Sequence, residues 1–260
     1  MVPTIDGKLH HFSNAGLYDG LFTLYDAESH TLWNHVTGEA EYGPLVGRTL
    51  GPPGNELQTT VRQALDEDPL TEIAISDRVY FVGGRQFGTA GVGSGRGRGQ
   101  GATNQGPSGP NPNAVMNDRF AVTLGTEDQR RPRMEVGLGL WSASTRRYYP
   151  MARIREHGGA LLDRLDGRVV LIYIDQASET PAALFVHSAT VKVQNNDILL
   201  DDGSVSSGVL LDRAGKRRPM ERPQQIFTRW YGFALTFPGS EICINGSGGP
   251  TCLTRPLLRG

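Results

Sequence analysis

The feature that most constrains the fold is a short motif in the first third of the chain that returns near its end. Residues 69–75 read PLTEIAI, and residues 238–244 read PGSEICI. An amphipathic helix is predicted before each copy. The inward-facing positions of these two helices are Leu57, Val61, Leu65, Ile226, Trp230 and Ala234. The pattern predicts an internally duplicated unit, with the back half of one repeat followed by one whole repeat.

The duplication divides the chain into four predicted segments. Residues 1–87 form the back half of a first repeat, and residues 118–244 form a complete second repeat. Residues 88–117 are a Gly/Pro-rich loop or linker, because they contain almost no apolar side chains. Residues 245–260 are a Gly/Pro-rich tail.

Short strands dominate the remaining pattern. The pair Asp6-Gly7 is typical of a hairpin turn, and Asp166-Gly167 is predicted to turn into the strand that follows it. The polar residues 26–30 separate two apolar strands. Residues 119–124 alternate in apolar character as a half-buried strand does. The continuous apolar run 169–174 predicts a central strand that is covered on both faces.

Few helices are predicted, and all of them are short. One spans residues 56–66 with Asn55 as its cap and Gln58 completing a capping box. Another spans 151–162 and can stop at Gly158, because glycine is unfavourable inside a helix. The last spans 223–235. Together these elements predict an α+β fold, mainly antiparallel β sheet with a few short helices.

Composition excludes several classes of function. A formal net charge of -1 supplies no field to attract nucleic acid. No apolar run approaches the roughly 20 residues that a transmembrane helix needs, which predicts a soluble chain without a transmembrane segment. The N-terminus lacks the charged-then-apolar pattern of a signal peptide. Cys243 and Cys252 can form a disulfide or remain two free thiols, and the sequence leaves both open.

Several blocks of the sequence resemble a known bacterial family. Residues 25–40 read YDAESHTLWNHVTGEA, and residues 43–47 follow with GPLVG. Residues 163–169 read DRLDGRV, and residues 237–242 read FPGSEI. With these blocks the chain resembles the domain-of-unknown-function family numbered 3179 over most of its length. The resemblance assigns no reaction.

The resemblance implies a cellular location, and it shows one place where this sequence differs from the family pattern. Family members look like exported proteins, so we expect a periplasmic or extracellular location for the native full-length form. Their front half usually carries a Tyr-Cys-Pro-x-Cys segment, and the matching place here, at Tyr173 to Gln176, contains no cysteine. The family's front segment should also precede Pro3. We therefore expect either a start at an internal methionine or a divergent short form.

Histidines are the first candidates for a functional site. His10 and His11 are predicted to lie on a strand and to point to opposite faces, so that at most one can face a given site. His35 shares a face with Trp33, and His157 lies on the inward face of its helix. Imidazoles from these segments together with a carboxylate would suit zinc, copper or iron. The alternative is that all four are hydrogen-bonded structural histidines.

Carboxylates and aromatic residues form a second group of candidates on the same hairpins. Asp26 and Glu39, together with Glu28 and Glu41, could supply an acid–base pair if burial separated their pKa values. The alternative is a solvated turn. Tyr18, Trp33 and Tyr42 could form an aromatic platform for a ligand or could simply pack in the core.

These candidates lead to two functional hypotheses. The preferred one is an extracytoplasmic binding or accessory module for an unknown small molecule or protein, with Tyr18, Trp33, His35 and Tyr42 binding the ligand. The alternative is a metal-dependent hydrolase or oxidoreductase with its site between the two repeats. That enzyme would take its metal ligands from His10, His11, His35 and His157, with Asp26, Glu39 and His157 as catalytic groups.

The predicted truncation of the first repeat also has a consequence for the oligomeric state. Strands within residues 1–87 would lack the neighbours that the missing front segment provides. We therefore expect their edges to be covered by the second unit, by the Gly-rich loop or by another copy of the chain, and we favour a homodimer.

Overall fold

A computed structural model describes residues 4–51, 57–73, 80–82, 85–87, 120, 122–246 and 249–253 of the chain. The predicted linker 88–117 lies outside these residues. The first part of the chain contains strands β1 (Thr4–Ile5), β2 (Lys8–Leu9), β3 (Phe12–Tyr18), β4 (Leu21–Asp26), β5 (Leu32–Asn34), β6 (Ala40–Tyr42), β7 (Tyr80–Val82) and β8 (Arg85–Phe87) and helix α1 (Val61–Glu67).

The second part is longer and also mostly β. Its first elements are β9 (Val136–Trp141), β10 (Arg146–Pro150), helix α2 (Met151–Glu156), β11 (Ala160–Leu165), β12 (Arg168–Ile174) and β13 (Pro181–Phe185). They are followed by β14 (Val191–Gln194), β15 (Asp197–Leu200), β16 (Gly203–Ser206), β17 (Val209–Asp212), β18 (Gln224–Arg229), helix α3 (Trp230–Thr236), β19 (Glu241–Gly246) and β20 (Gly249–Leu253).

Antiparallel pairing links most of these strands. The sheets have the orders β3-β4-β5-β6, β11-β12-β13, β14-β15-β16-β17 and β18-β9-β10-β19-β20, and the pairs β1-β2 and β7-β8 form two small hairpins. Only β10 and β19 pair in parallel among the described strands. The predicted class, α+β with mainly antiparallel sheet and a few short helices, is therefore confirmed.

The core lies on the two faces of β12. Val170 and Ile172 face a cluster that contains Leu138 and Ile154, whereas Leu171 faces a second cluster with neighbours from β13 and β15. Side chains alternate across a strand, so an apolar residue at every position fits a strand covered on both sides. The predicted central strand is confirmed.

The turns formed by Asp-Gly pairs also agree with the prediction. Asp6 and Gly7 both adopt positive φ between β1 and β2, and Asp166 and Gly167 do so between β11 and β12. Such two-residue turns match the twist of the strands that they join.

Helix boundaries differ from the prediction. Helix α1 begins after Thr60, whose hydroxyl accepts from the backbone N–H of Gln63, while the Gln63 side chain accepts from the Thr60 N–H. Gln58 therefore precedes the helix, and Asn55 lies outside the described residues. Val61 and Leu65 are exposed and Gln63 is buried, so the predicted apolar face was wrong.

Other predicted elements were also wrong or shortened. Residues 224–229 form strand β18 rather than helix, because they pair with β9 along their whole length, and α3 covers only residues 230–236. Helix α2 ends at Glu156, just before Gly158. The predicted strand at 119–124 is absent from its described residues, since Phe120 is helical and Val122 lies in a turn.

The repeated motif occupies different surroundings in its two copies. Glu241 and Ile242 lie in β19, and Ile242 is 4% exposed. In the first copy Ile73 lies outside any strand and is 48% exposed, and Ala74 and Ile75 are not among the described residues. The internal duplication and the four predicted segments stay predictions.

Candidate functional site

A buried carboxylate organises the turn that follows β4. Asp26 is fully buried at the end of that strand. Its Oδ1 accepts from the backbone N–H groups of Glu28 and Ser29, and its Oδ2 accepts from the Ser29 hydroxyl. A backbone hydrogen bond from the Asp26 N–H to the Thr31 carbonyl closes the turn. Asp26 thus holds the six-residue turn 26–31 together by hydrogen bonds to its own side chain, and a turn of this kind is called carboxylate-stapled below.

Both histidines between β2 and β3 reach this turn. His10 Nδ1 donates to Asp26 Oδ2 at 2.7 Å, and the His10 side chain is buried. His11 contacts Glu28 through Nδ1 at 2.5 Å and through its backbone N–H at 2.7 Å. His10 is buried whereas the His11 side chain is exposed. Because β2 ends at Leu9, strand alternation does not extend through residues 10 and 11, and the prediction that at most one of them faces a given site stays a prediction.

The electrostatics of Asp26 follow from these contacts. Burial by itself would raise the pKa of Asp26, but the hydrogen bonds from Ser29, His10 and the Glu28 N–H lower it from 3.8 to about 2. The carboxylate is therefore ionised near neutral pH and only accepts hydrogen bonds. A general base works best with a pKa near the operating pH, so Asp26 is suited to positioning rather than to proton transfer.

An ionised Asp26 also determines the tautomer of His10. Since the carboxylate accepts, the network assigns the proton to Nδ1 and leaves the lone pair on Nε2. Metal-binding histidines commonly donate their other ring nitrogen to a carboxylate in this way. Potential ligand atoms of His10, Asp26 and Glu28 lie within 4.8 Å of one another. These three residues with His11, named the His10 cluster below, are the candidate metal centre.

The other predicted carboxylates do not join the His10 cluster. Glu41 accepts from the Asn34 side chain at 2.9 Å. Glu39 is exposed and its backbone forms a bridge with Thr49. The buried Asp26 and the exposed Glu39 therefore lie in different environments, and their role as an acid–base pair stays a prediction.

The two remaining predicted metal ligands lie elsewhere. His35 Nδ1 is 2.7 Å from the Phe22 carbonyl oxygen, and the His35 ring contacts the Phe22 ring edge-on. His157 is half-buried and forms the C-cap of α2, where its N–H bonds to carbonyls of the last helical turn. Neither belongs to a group of three clustered ligand residues among the described ones.

Only part of the predicted aromatic platform is accessible. Trp33 is completely buried and packs against Phe12, so its indole belongs to the core and cannot stack on a ligand. Tyr18 and Tyr42 are exposed, and the Tyr42 hydroxyl donates to the Tyr18 hydroxyl at 2.9 Å.

A second turn of the same construction was missed by the sequence reasoning. Asp175 follows β12 and accepts from the N–H groups of Ala177 and Ser178 and from the Ser178 hydroxyl, while its own N–H donates to the Thr180 carbonyl. Its other oxygen accepts from Gln63 of α1 at 2.6 Å. The shared pattern Asp-x-x-Ser-x-Thr at residues 26–31 and 175–180 is the signal that could have identified it.

The two cysteines are joined. Cys243 in β19 and Cys252 in β20 lie directly opposite each other and form a disulfide. Asp163 lies beside it, with an oxygen 3.7 Å from the Cys252 sulfur. The alternative of two free thiols, which the sequence left open, is thereby removed.

These observations define a β-rich α+β domain with carboxylate-stapled turns and a histidine–carboxylate cluster. The model of the family described as "Protein of unknown function (DUF3179)" matches residues 2–237, so the chain belongs to that family and the resemblance is confirmed. No curated protein and no solved structure matches the chain. None of the described helices has the length and apolarity that a membrane crossing requires.

The stapled turn predicts a pH dependence of stability. The pKa of Asp26 is about 2 in the folded state against 3.8 in its ordinary state, so its contribution is complete above about pH 4 and is lost as the pH falls toward 2. The contribution is on the order of 2 kcal/mol. Asp26→Asn should therefore lower the free energy of unfolding at pH 7 and flatten its decline between about pH 4 and 2.

Denaturant unfolding at a series of pH values measures this effect. Glu39→Gln, which changes an exposed carboxylate on the same sheet, serves as the matched control and should keep the wild-type profile. A profile for Asp26→Asn that runs parallel to that of the wild type would contradict the prediction.

Proposed function

We propose that this protein is an extracytoplasmic binding module and that it binds a divalent transition metal ion at the His10 cluster. The observation that carries the proposal is the buried contact between His10 and the ionised Asp26, which leaves His10 Nε2 as the ligand nitrogen. Imidazole together with carboxylate oxygen is a donor set that zinc and copper accept.

Each member of the cluster has a separate role in this proposal. His10 binds the ion, and Asp26 holds the imidazole ring in one orientation and tautomer. Glu28 supplies carboxylate oxygen, and His11, whose side chain is largely exposed, is free to turn toward the ion once it leaves Glu28. Tyr18 and Tyr42 form a separate exposed patch on the same four-stranded sheet, suited to contact with a further ligand or protein.

Zinc titration of the metal-free protein tests the proposal. Isothermal titration calorimetry should give about one zinc ion per chain, and His10→Gln should weaken binding about tenfold or more, because it removes a ligand. Glu28→Gln should weaken binding as well. His35→Gln changes a histidine outside the cluster, in the turn after β5, and it should leave the affinity unchanged.

Two results would overturn the metal site. One is an affinity for zinc in His10→Gln equal to that of the wild type. The other is an equal loss in His35→Gln, which would show that the ligands come from the originally predicted histidine set rather than from the His10 cluster.

The proposed location rests on the disulfide and on family membership. A disulfide persists in oxidising compartments and is rare in the cytosol. Cys243 and Cys252 are bonded across neighbouring strands. Fractionation of the native host should therefore recover the protein with periplasmic or secreted markers, and recovery with cytosolic markers would contradict this part of the proposal.

A homodimer formed through β3 completes the proposal. This strand is at the edge of the sheet β3-β4-β5-β6, it carries no charged residue, and nearly all of its side chains are exposed. Edge strands without charges or prolines are prone to pair with another chain. A register shift between Asn14 and Gly16 limits such pairing to part of the strand.

Light scattering coupled to gel filtration measures the assembly. Leu17→Lys places a charge on the 42% exposed edge position and should convert a dimer into a monomer without loss of thermal stability. Val46→Lys, at a 58% exposed position outside β3, is the matched control and should remain dimeric. A wild-type protein that is monomeric at all concentrations would rule out the dimer.

A further inference from the structure

A cleft of about 400 Å³ lies at the turn between β11 and β12 and is formed by residues other than the His10 cluster. The ends of β11, β12 and β13 contribute one part of its lining, and Leu210 of β17 with Arg218, Pro219 and Glu221 contributes another. Pockets for small organic ligands begin at about 300 Å³, so the cleft has room for a compact molecule.

Positive charge dominates the described residues that line this cleft. Arg164, Arg168 and Arg218 contribute three guanidinium groups and Glu221 contributes one carboxylate, with His187 beside them. The whole chain carries a formal net charge of -1, so this local excess does not follow from the overall composition. A concave site lined by one sign of charge concentrates ligands of the opposite sign.

The guanidinium groups are held in place before any ligand arrives. Arg168 lies 3.6 Å over the centre of the Phe185 ring and makes two bonds of 2.6 Å to Glu221. Arg218 donates to Asp202, and Arg164 donates through one terminal nitrogen to the Gly167 carbonyl at 3.0 Å. Preorganised donors lose less conformational entropy when they bind a ligand.

Arg164 is the arginine with unused hydrogen-bonding capacity. Its guanidinium donates to the Gly167 carbonyl, and its backbone N–H donates to the Asp163 carboxylate. The guanidinium itself pairs with no carboxylate in the described part of the chain. Its Nε and second terminal nitrogen therefore remain able to donate. A planar guanidinium edge of this kind accommodates a carboxylate or a phosphate.

The floor of the cleft is apolar. Val186 and Leu210 belong to one core cluster, and the half-buried Val169 packs against the same cluster. An apolar surface next to cationic groups matches a molecule with a hydrocarbon body and an anionic end, because each part of such a molecule meets its complement.

We infer that this cleft binds a small organic anion whose charged group lies on Arg164 and whose apolar body lies against Val169, which is paired with Arg164 across the strands, and Val186. A carboxylic acid and a phosphate monoester share this chemistry. The inference does not depend on the metal site, since the two sites have no residue in common.

Fluorine NMR titration with three probes of one shape tests the inference. The probes are para-fluorobenzoate, para-fluorophenyl phosphate and the neutral para-fluorobenzamide. We expect at least one anion to bind with a dissociation constant below about 10 mM and the neutral amide to bind at least about tenfold more weakly. The tighter of the two anions then identifies the charged group.

Substitutions test whether the anionic probe binds in this cleft. Arg164→Gln should weaken binding of the better anion about tenfold or more, the loss typical of one charge-assisted hydrogen bond. Arg155→Gln removes the charge of an exposed arginine on α2 that does not line the cleft, and it should have no effect. If Arg164→Gln lowers thermal stability, His187→Gln, at an exposed position of the same cleft, replaces it and should weaken binding severalfold.

Three results would overturn the inference. They are failure of both anions to saturate the 260-residue chain below about 10 mM, equal binding of the neutral amide, and unchanged binding in well-folded Arg164→Gln and His187→Gln.

Discussion

The structure depends on the requirement that a buried carboxylate be fully hydrogen-bonded. An ionised group without partners is very costly inside a protein, so Asp26 and Asp175 have to collect donors from the chain around them. Each obtains three of its hydrogen bonds from its own turn and one from a distant segment, namely His10 for Asp26 and Gln63 for Asp175. The same requirement therefore shapes the local turn and brings distant parts of the chain together.

This requirement has different consequences at the two turns. At Asp175 the distant partner is an amide, so the contact attaches α1 to the sheet β11-β12-β13 and carries no titratable nitrogen. At Asp26 the partner is an imidazole, which has a second nitrogen on the far side of its ring. A feature that stabilises the fold in one place thus becomes a candidate ligand-binding group in the other.

Local sequence signals predicted those elements whose geometry is set by neighbouring residues. Asp6-Gly7 and Asp166-Gly167 form the expected turns, because glycine tolerates positive φ. The apolar run of β12 required cover on both faces, and it is covered. The predictions failed where contacts between residues distant in the sequence decide the local structure. Residues 224–229 have a helical apolar pattern but pair with β9, and Thr60 rather than Asn55 caps α1 because its partner Gln63 is held by Asp175.

For the candidate site, the sequence by itself determined the chemistry: histidines, carboxylates and tyrosines on the first hairpins, and an α+β fold rich in antiparallel strands. Only the tertiary structure decided which of them meet. It joined His10 to Asp26, left His35 on a backbone carbonyl, buried Trp33 and brought three arginines to one cleft. The physical reason is that residue type and periodicity act over a few positions, whereas a contact such as that of Gln63 with Asp175 depends on how whole sheets pack.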